Sequence, residues 1–192
     1  MSGDRSAEPF GRYLLHQRLA EGGMAEVFLA EQPSTAGVTK FIAIKRMLPH
    51  LCLQKQFVDM FLDEARLTAR LTHQNVAQIF DFGEVDGRYF IAMEYVNGES
   101  LLAVTMRSLE QGQPIPISLG VSIISQVCEG LGHAHAARHE GQWLKVVHRD
   151  ISPSNIVLTW QGGVKLLDFG IAHTSDRQQE PTVSGVVKGK LA

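Results

Sequence analysis

The stretch Val146–Leu158, VVHRDISPSNIVL, sets His148, Arg149, Asp150 and Asn155 within one short polar loop, with apolar runs on both sides. Such a loop between two β-like runs is either a plain surface turn or a place where a carboxylate and an amide are held for chemistry. The residues around it decide between the two.

Just downstream, LLDFG (Leu166–Gly170) puts Asp168 at the end of an apolar strand, ahead of an aromatic residue and a glycine. Asp150 can accept or orient a hydroxyl proton. Asn155 offers an amide oxygen and Asp168 a carboxylate to a hard cation such as Mg²⁺. Far upstream, IAIK (Ile42–Lys45) ends an apolar run on a lysine, and the next helical stretch carries Glu64 among Phe57, Met60, Phe61 and Leu67. A carboxylate on an apolar face is costly unless paired, and Lys45 is its natural partner. Earlier still, LAEGGMAEVF (Leu19–Phe28) places a glycine turn between two strand-like runs, where backbone N–H groups can approach phosphate oxygens. Alone, the glycine turn equally suits an ordinary hairpin, and a lone strand-end lysine commonly points to water. The four signals in this order provide a phosphate cradle, a phosphate-pairing lysine, an orienting glutamate, a catalytic aspartate and two metal ligands. Phosphoryl transfer needs that set, because its transition state is stabilised mainly by position and charge.

The organisation agrees. Residues 1–9 read as a disordered leader. Phe10 to about Phe41 reads as two or three antiparallel strands, Phe57–Leu71 as a helix, and VAQIFDFGEVDGRYFIAMEYV as two strands about an Asp86-Gly87 turn. A helix near Leu101–Leu109, a long helix over Leu119–His139 capped by Ser118, a loop at HEGQW and short β-like pieces at VVH, IVLTW and VKLLD follow. Val121, Ile124, Val127, Cys128 and Leu131 mark one apolar face of the long helix. The one boundary falls near Val96–Gly98, where a β-rich part meets a helix-rich part. The apolar share of 44% suits a sizeable core, and a net charge of −2 offers no field for nucleic acid or an anionic membrane. No run reaches the roughly 20 apolar residues of a membrane span, and the first residues contain no signal-like apolar stretch. Cys52 and Cys128 read as reduced thiols of a cytoplasmic protein. His133, His135 and His139 lack a carboxylate or cysteine in register to complete a metal set.

On these motifs the sequence resembles the eukaryotic-like protein kinases, in particular the bacterial Ser/Thr kinases, from about Phe10 to Ala192. The resemblance implies an α+β two-lobe fold, with a β-rich lobe over 10–96 that includes the hinge and a partial helical lobe over 97–192. It implies ATP and Mg²⁺ as cofactors, a protein substrate, and a catalytic role for Asp150 supported by Lys45 and Glu64. Asn155 and Asp168 become the metal ligands. Leu19, Ala20, Glu21, Gly22 and Gly23 become the phosphate loop. Val27, Ala43 and Val157 become the walls of the adenine pocket, Met93 the residue at its back, and Glu94-Tyr95-Val96 the hinge whose backbone meets adenine. His148 and Phe169 match a packed column between the lobes, and Thr182 and Ser184 match positions of activation-loop phosphorylation, with Arg149 as the docking cation.

The sequence departs from the family pattern in four places. Ala20 and Ala25 replace two of the three loop glycines. Ser152 stands where Ser/Thr kinases usually carry a lysine, although Pro153 beside it and the lack of an Ala-Ala-Arg run keep the Ser/Thr likeness. Thr68 stands at a column position usually filled by a larger apolar residue. Finally, the chain stops before the Ala-Pro-Glu-type motif and the helices that follow it, so a truncated form is expected, with an exposed face on the Leu119–His139 helix open to a partner. Two other functions compete: a catalytically weak, pseudokinase-like nucleotide-binding or scaffolding module, and a small-molecule phosphotransferase of the aminoglycoside-kinase type.

Overall fold

A computed structural model describes residues 7–33 and 39–169. Its first half is a six-stranded antiparallel sheet: β1 (Glu8–Phe10), β2 (Tyr13–Glu21), β3 (Ala25–Gln32), β4 (Lys40–Met47), β5 (Ile79–Val85) and β6 (Arg88–Glu94), in the order β1-β2-β3-β4-β6-β5. Between β4 and β5 come a single turn, α1 (Pro49–Cys52), and the helix α2 (Lys55–Thr68). The second half has β7 (Gly98–Ser100), α3 (Leu101–Glu110), α4 (Ile117–Ala136), β8 (Arg138–His139), β9 (Gln142–Trp143), β10 (Ile156–Thr159) and β11 (Val164–Leu166). Strands β11, β10 and β7 form a small sheet, and β8 and β9 a two-stranded hairpin.

Alternation along the strands decides what the large sheet presents on each face. Phe90 and Ala92 join Phe10, Tyr13, Leu15, Phe28, Ile42 and Ile44 in one core, whereas Ile91 joins Met47, Val58, Phe61 and Ala65 in a second core under α2. Directly opposed residues of antiparallel strands share a face. Lys45 opposes both Ile91 and Val27, and Ala43 opposes Met93. The face that receives α2 therefore also carries Val27, Ala43, Lys45 and Met93. Glu64, on the buried side of α2 between Phe61 and Ala65, comes down onto it.

A third core holds the helical half. Ile123, Val127 and Ala134 of α4 pack with Val146, Ile156, Val164, Leu166 and Phe169. Gly130 lets α4 close on β11, since a Cβ there would stand 3.0 Å from Leu166 Cδ1 and 3.1 Å from the Asn75 carbonyl. The halves are stitched by the segment before β5. Leu166 N–H donates to the Asn75 carbonyl, Ala77 N–H to the Leu166 carbonyl, and Asn75 Nδ2 to the Val164 carbonyl at 2.8 Å.

Several sequence expectations shift. Strand β1 begins at Glu8, inside the stretch read as a leader, because Glu8–Phe10 pairs with Tyr13–Leu15 and seats Phe10 in the core. The helix α2 ends at Thr68, short of Leu71. Ser118 lies inside α4, whose N-cap is Pro116, and the helix ends at Ala136. HEGQW is mostly the β8–β9 hairpin, turning through Glu140 and Gly141, both at positive φ. VVH is irregular, not a strand. The helix at Leu101–Glu110 and the Asp86-Gly87 turn form as expected. The turn has positive φ at both residues, as a two-residue hairpin of the type I′ kind requires. Of the apolar residues assigned to one face of the long helix, Val127 is buried, while Val121, Ile124 and Cys128 are exposed.

Candidate active site

Lys45 is the centre of the site. Its Nζ donates to Glu64 Oε1 at 3.1 Å and to Asp168 Oδ1 at 2.9 Å, joining β4, α2 and the chain after β11. Burial works against its charge, but Asp168 and then Glu64 outweigh it, so the ammonium titrates well above its usual range. Burial raises Glu64 in turn, and Lys45 only partly offsets this. Two carboxylates on one ammonium leave Lys45 firmly charged and held in place.

The chain around Asp150 is built from the buried side upward. His148 is buried and donates from Nε2 to the Leu167 carbonyl, 2.9 Å away; its ring lies 4.6 Å from that of Phe169, which is also buried. Arg149 and Asp168 both have positive φ, at 64° and 48°. Non-glycine residues are uncommon there, and strain of this kind is held by surrounding packing, here the buried neighbours His148 and Phe169. Pro153–Asn155 forms one 3-10 turn. It brings Asn155 Nδ2 to the Asp150 carbonyl at 2.9 Å and to Asp150 Oδ2 at 3.0 Å. The Leu167 N–H then bonds the Asn155 carbonyl at 2.9 Å. Two segments carrying Asp150, Asn155 and Asp168 are thus locked to each other by backbone.

The nitrogen of the Asn155 amide is spent on Asp150, which leaves the oxygen as the atom for a cation. With the half-buried carboxylate of Asp168 it makes an all-oxygen donor pair of the kind that suits Mg²⁺. The glycine turn also fits a phosphate. Gly22 N–H closes it on the Ala25 carbonyl at 2.9 Å, and a Cβ on Gly23 would meet nothing within 4 Å, so space remains beside the backbone. Leu19, Ala20 and Glu21 are exposed at the end of β2, where pairing with β3 is irregular around Arg18 and Ala20.

Val27, Ala43 and Met93 share the Lys45 face, and Val157 lies on β10, buried, opposite Lys165. Met93 also lines a small hollow with Lys45, Glu64, Thr68, Asp168 and Phe169. The hinge needs a refinement. Glu94 N–H is spent on the Gln78 carbonyl at 2.8 Å, so it is not available as a donor to a ligand.

The protein kinase domain family matches residues 13–188. The chain belongs to that family. Among curated protein kinases, it is 47% identical over 184 residues to the tyrosine-protein kinase MasK of Myxococcus xanthus. The match covers 95% of this chain and 28% of that one. It is 34% identical over 162 residues to the serine/threonine-protein kinase PrkC of Bacillus subtilis, covering 84% and 23%. The kinase domain of Mycobacterium tuberculosis PknI superposes with a TM-score of 0.71 at 30% identity, covering 88% of this chain and 63% of that one. The chain thus spans about a quarter of the length of these curated relatives. The fold is the protein kinase fold, and the curled sheet with α2 is its β-rich lobe.

Sequence reasoning overlooked two residues of this kinase site. Asn75 stitches the lobes, and Lys165 binds Glu94 Oε2 at 2.8 Å. The signal for Lys165 was available: a charge inside the apolar run VKLL needs a partner. Thr182, Ser184 and Gly170 lie outside the described residues.

Proposed function

We propose that this chain is the catalytic region of an ATP- and Mg²⁺-dependent protein kinase that transfers a phosphoryl group to a serine or threonine hydroxyl. One observation carries the reading: Lys45 bridges Glu64 and Asp168 while Asn155 holds Asp150, so the ammonium and the three carboxylates assigned to the chemistry are each held by a partner. Mg²⁺, when bound, supplies charge neutralisation between phosphates. The protein's own groups do the rest. Lys45 holds phosphate oxygens, Glu64 holds Lys45, Asn155 and Asp168 hold the cation, and Asp150 orients the acceptor hydroxyl and receives its proton. Leu19–Gly23 forms the phosphate loop, Val27, Ala43 and Val157 enclose adenine, Met93 closes the back, and the Glu94–Val96 hinge meets its edge. The Ser/Thr preference follows Pro153 and relatives such as PrkC; the MasK likeness makes tyrosine the competing acceptor.

The cytoplasm is the compartment that suits ATP and the two free cysteines. Among the described residues, no helix is long and apolar enough to cross a membrane. The apolar face of α4 is assigned to a covering partner surface.

The test is incubation with Mg²⁺ and labelled ATP, with and without a generic basic acceptor protein, followed by phosphoamino-acid analysis. Phosphoserine or phosphothreonine is expected, and Asp150→Asn should lower transfer by about 100-fold or more while ATP still binds. Phosphotyrosine would move the chain to the other acceptor class. ATP binding without transfer would select the pseudokinase-like reading, whose support is Ala20, Ala25 and Ser152.

A further inference from the structure

The β8–β9 hairpin adds no side chain to a core. Arg138, His139, Gln142 and Trp143 are all exposed, and among the described residues the two strands pair with each other alone. Its base is what anchors it. Leu144 N–H donates to the Ala137 carbonyl at 3.0 Å, and both residues pack against the core under α4. A two-stranded ribbon this short has little stability of its own in water. It also holds two non-glycine residues at positive φ: Glu140 in the turn, at 50°, and Lys145 just past the base, at 52°. Such conformations are uncommon away from glycine and persist where the surroundings impose them. The chain therefore keeps, on its surface and at some cost, a ribbon that buries nothing.

What the ribbon presents is a cation set on an aromatic ring. Arg138 and Trp143 are cross-strand partners, and the guanidinium carbon lies 3.9 Å from the indole centroid. Trp143 is 52% exposed. Neither Arg138 nor Lys145 has a carboxylate partner among the described residues, and Glu140, the acid at the turn, lies 4.0 Å from His139. Over 137–149 the cations Arg138, Lys145 and Arg149 stand against that single acid, in a chain whose net charge is −2. A guanidinium resting on a ring keeps its N–H fork available to an oxyanion, and the contact fixes the side chain before anything binds. Tryptophan and arginine are also the residues that carry most of the energy at protein interfaces. We propose that the hairpin is a docking site for an acidic segment of a partner protein. Arg138 and Lys145 take its carboxylates, and the exposed part of the Trp143 ring takes an apolar side chain beside them. The site stands apart from the phosphoryl-transfer reading, since Arg138, Trp143 and Lys145 lie outside the group around Lys45 and Asp150.

The test is fluorescence anisotropy with the full chain and a labelled peptide of glutamate and leucine residues, beside a copy in which glutamine replaces every glutamate. The acidic peptide should bind about tenfold tighter than its copy, and the advantage should shrink as salt rises. Arg138→Gln and Trp143→Ala should each weaken it about five- to tenfold, Lys145→Gln by less, and Trp143→Phe, which keeps a ring under the guanidinium, by less than about twofold. Thermal midpoints should stay at the wild-type value, because all three side chains are exposed. If Trp143→Ala fails to fold, Arg138→Gln, which leaves the ring in place, decides. Absence of binding, equal binding of the two peptides, or binding that survives Arg138→Gln overturns the proposal. So does tighter binding, through the same residues, of single-stranded DNA or of vesicles containing phosphatidylserine, which would assign the ribbon to a nucleic acid or a membrane surface instead.

Discussion

Thr68 shows how a single residue can weaken a shared assembly. It sits four positions after Glu64, where both side chains fall on one helical face. It is 5% exposed, and its Oγ1 has no hydrogen-bond partner among the described residues. A buried hydroxyl without a partner costs about 1–3 kcal/mol. Thr68→Val keeps the shape and removes the group, so it should raise stability by about 1 kcal/mol, read as a higher midpoint in urea denaturation. A lowered midpoint would mean that the hydroxyl is satisfied after all. His148 gives a pH effect of definite sign. Burial, opposed by the Leu167 carbonyl and by Asp168 and Asp150, lowers its pKa from the ordinary 6.5. The folded chain thus binds fewer protons there than the unfolded chain. Its contribution is complete above about pH 6.5 and is lost as pH falls toward the lowered value. Thermal midpoints taken from about pH 7.5 down to about pH 5 should drop, and His148→Phe should flatten that part of the slope. An identical slope in the variant would rule the imidazole out as the cause.

At the level of elements, strand alternation made much of the site readable in advance. Period-two spacing puts Ala43 and Lys45 on one side of β4, and the apolar company of Glu64 identified the partner before any distance was known. Boundaries were harder. Ser118 has the chemistry of a cap, but Pro116, at φ −57° and ψ 141°, already holds the N-cap position and starts the helix two residues earlier than a Ser118 cap could. Burial of α4 was misjudged for a related reason: the helix is apolar on more than one side, and spacing alone does not say which side meets β11. What the sequence could not show at all was close approach between distant segments. Gly98 pairs with Thr159 across β7 and β10, and a Cβ on it would stand 2.1 Å from the Leu158 carbonyl oxygen. Backbone cannot yield there as a flexible side chain can. Gly98→Ala should therefore cost about 2 kcal/mol or more by forcing β7 off β10, with hydrogen exchange rising at Val157–Thr159. Exchange rates like those of the wild type would show that the strand pair absorbs the methyl group.

For the whole molecule, α4 raises the question of what covers an apolar surface left open among the described residues. Its Ile123, Val127 and Ala134 are inside, yet Ile117, Val121 and Ile124 are 87%, 64% and 51% exposed. With Gly120 and Cys128 they line one shallow groove among the described residues. A helix apolar on opposite sides is a helix built to be covered on both. Contiguous apolar patches on soluble proteins are interaction sites or aggregation liabilities. In isolation the chain should therefore self-associate, seen as a weight-average mass that rises with concentration in sedimentation equilibrium. Val121→Glu/Ile124→Glu should return it to monomer with little change in unfolding temperature, because neither side chain belongs to the core. The pairing of Lys45 with Glu64 and Asp168 lies among other elements and should be untouched, so nucleotide affinity should stay within about twofold. A wild-type chain that remains monomeric at high concentration would mean that the groove is closed by the chain's own residues.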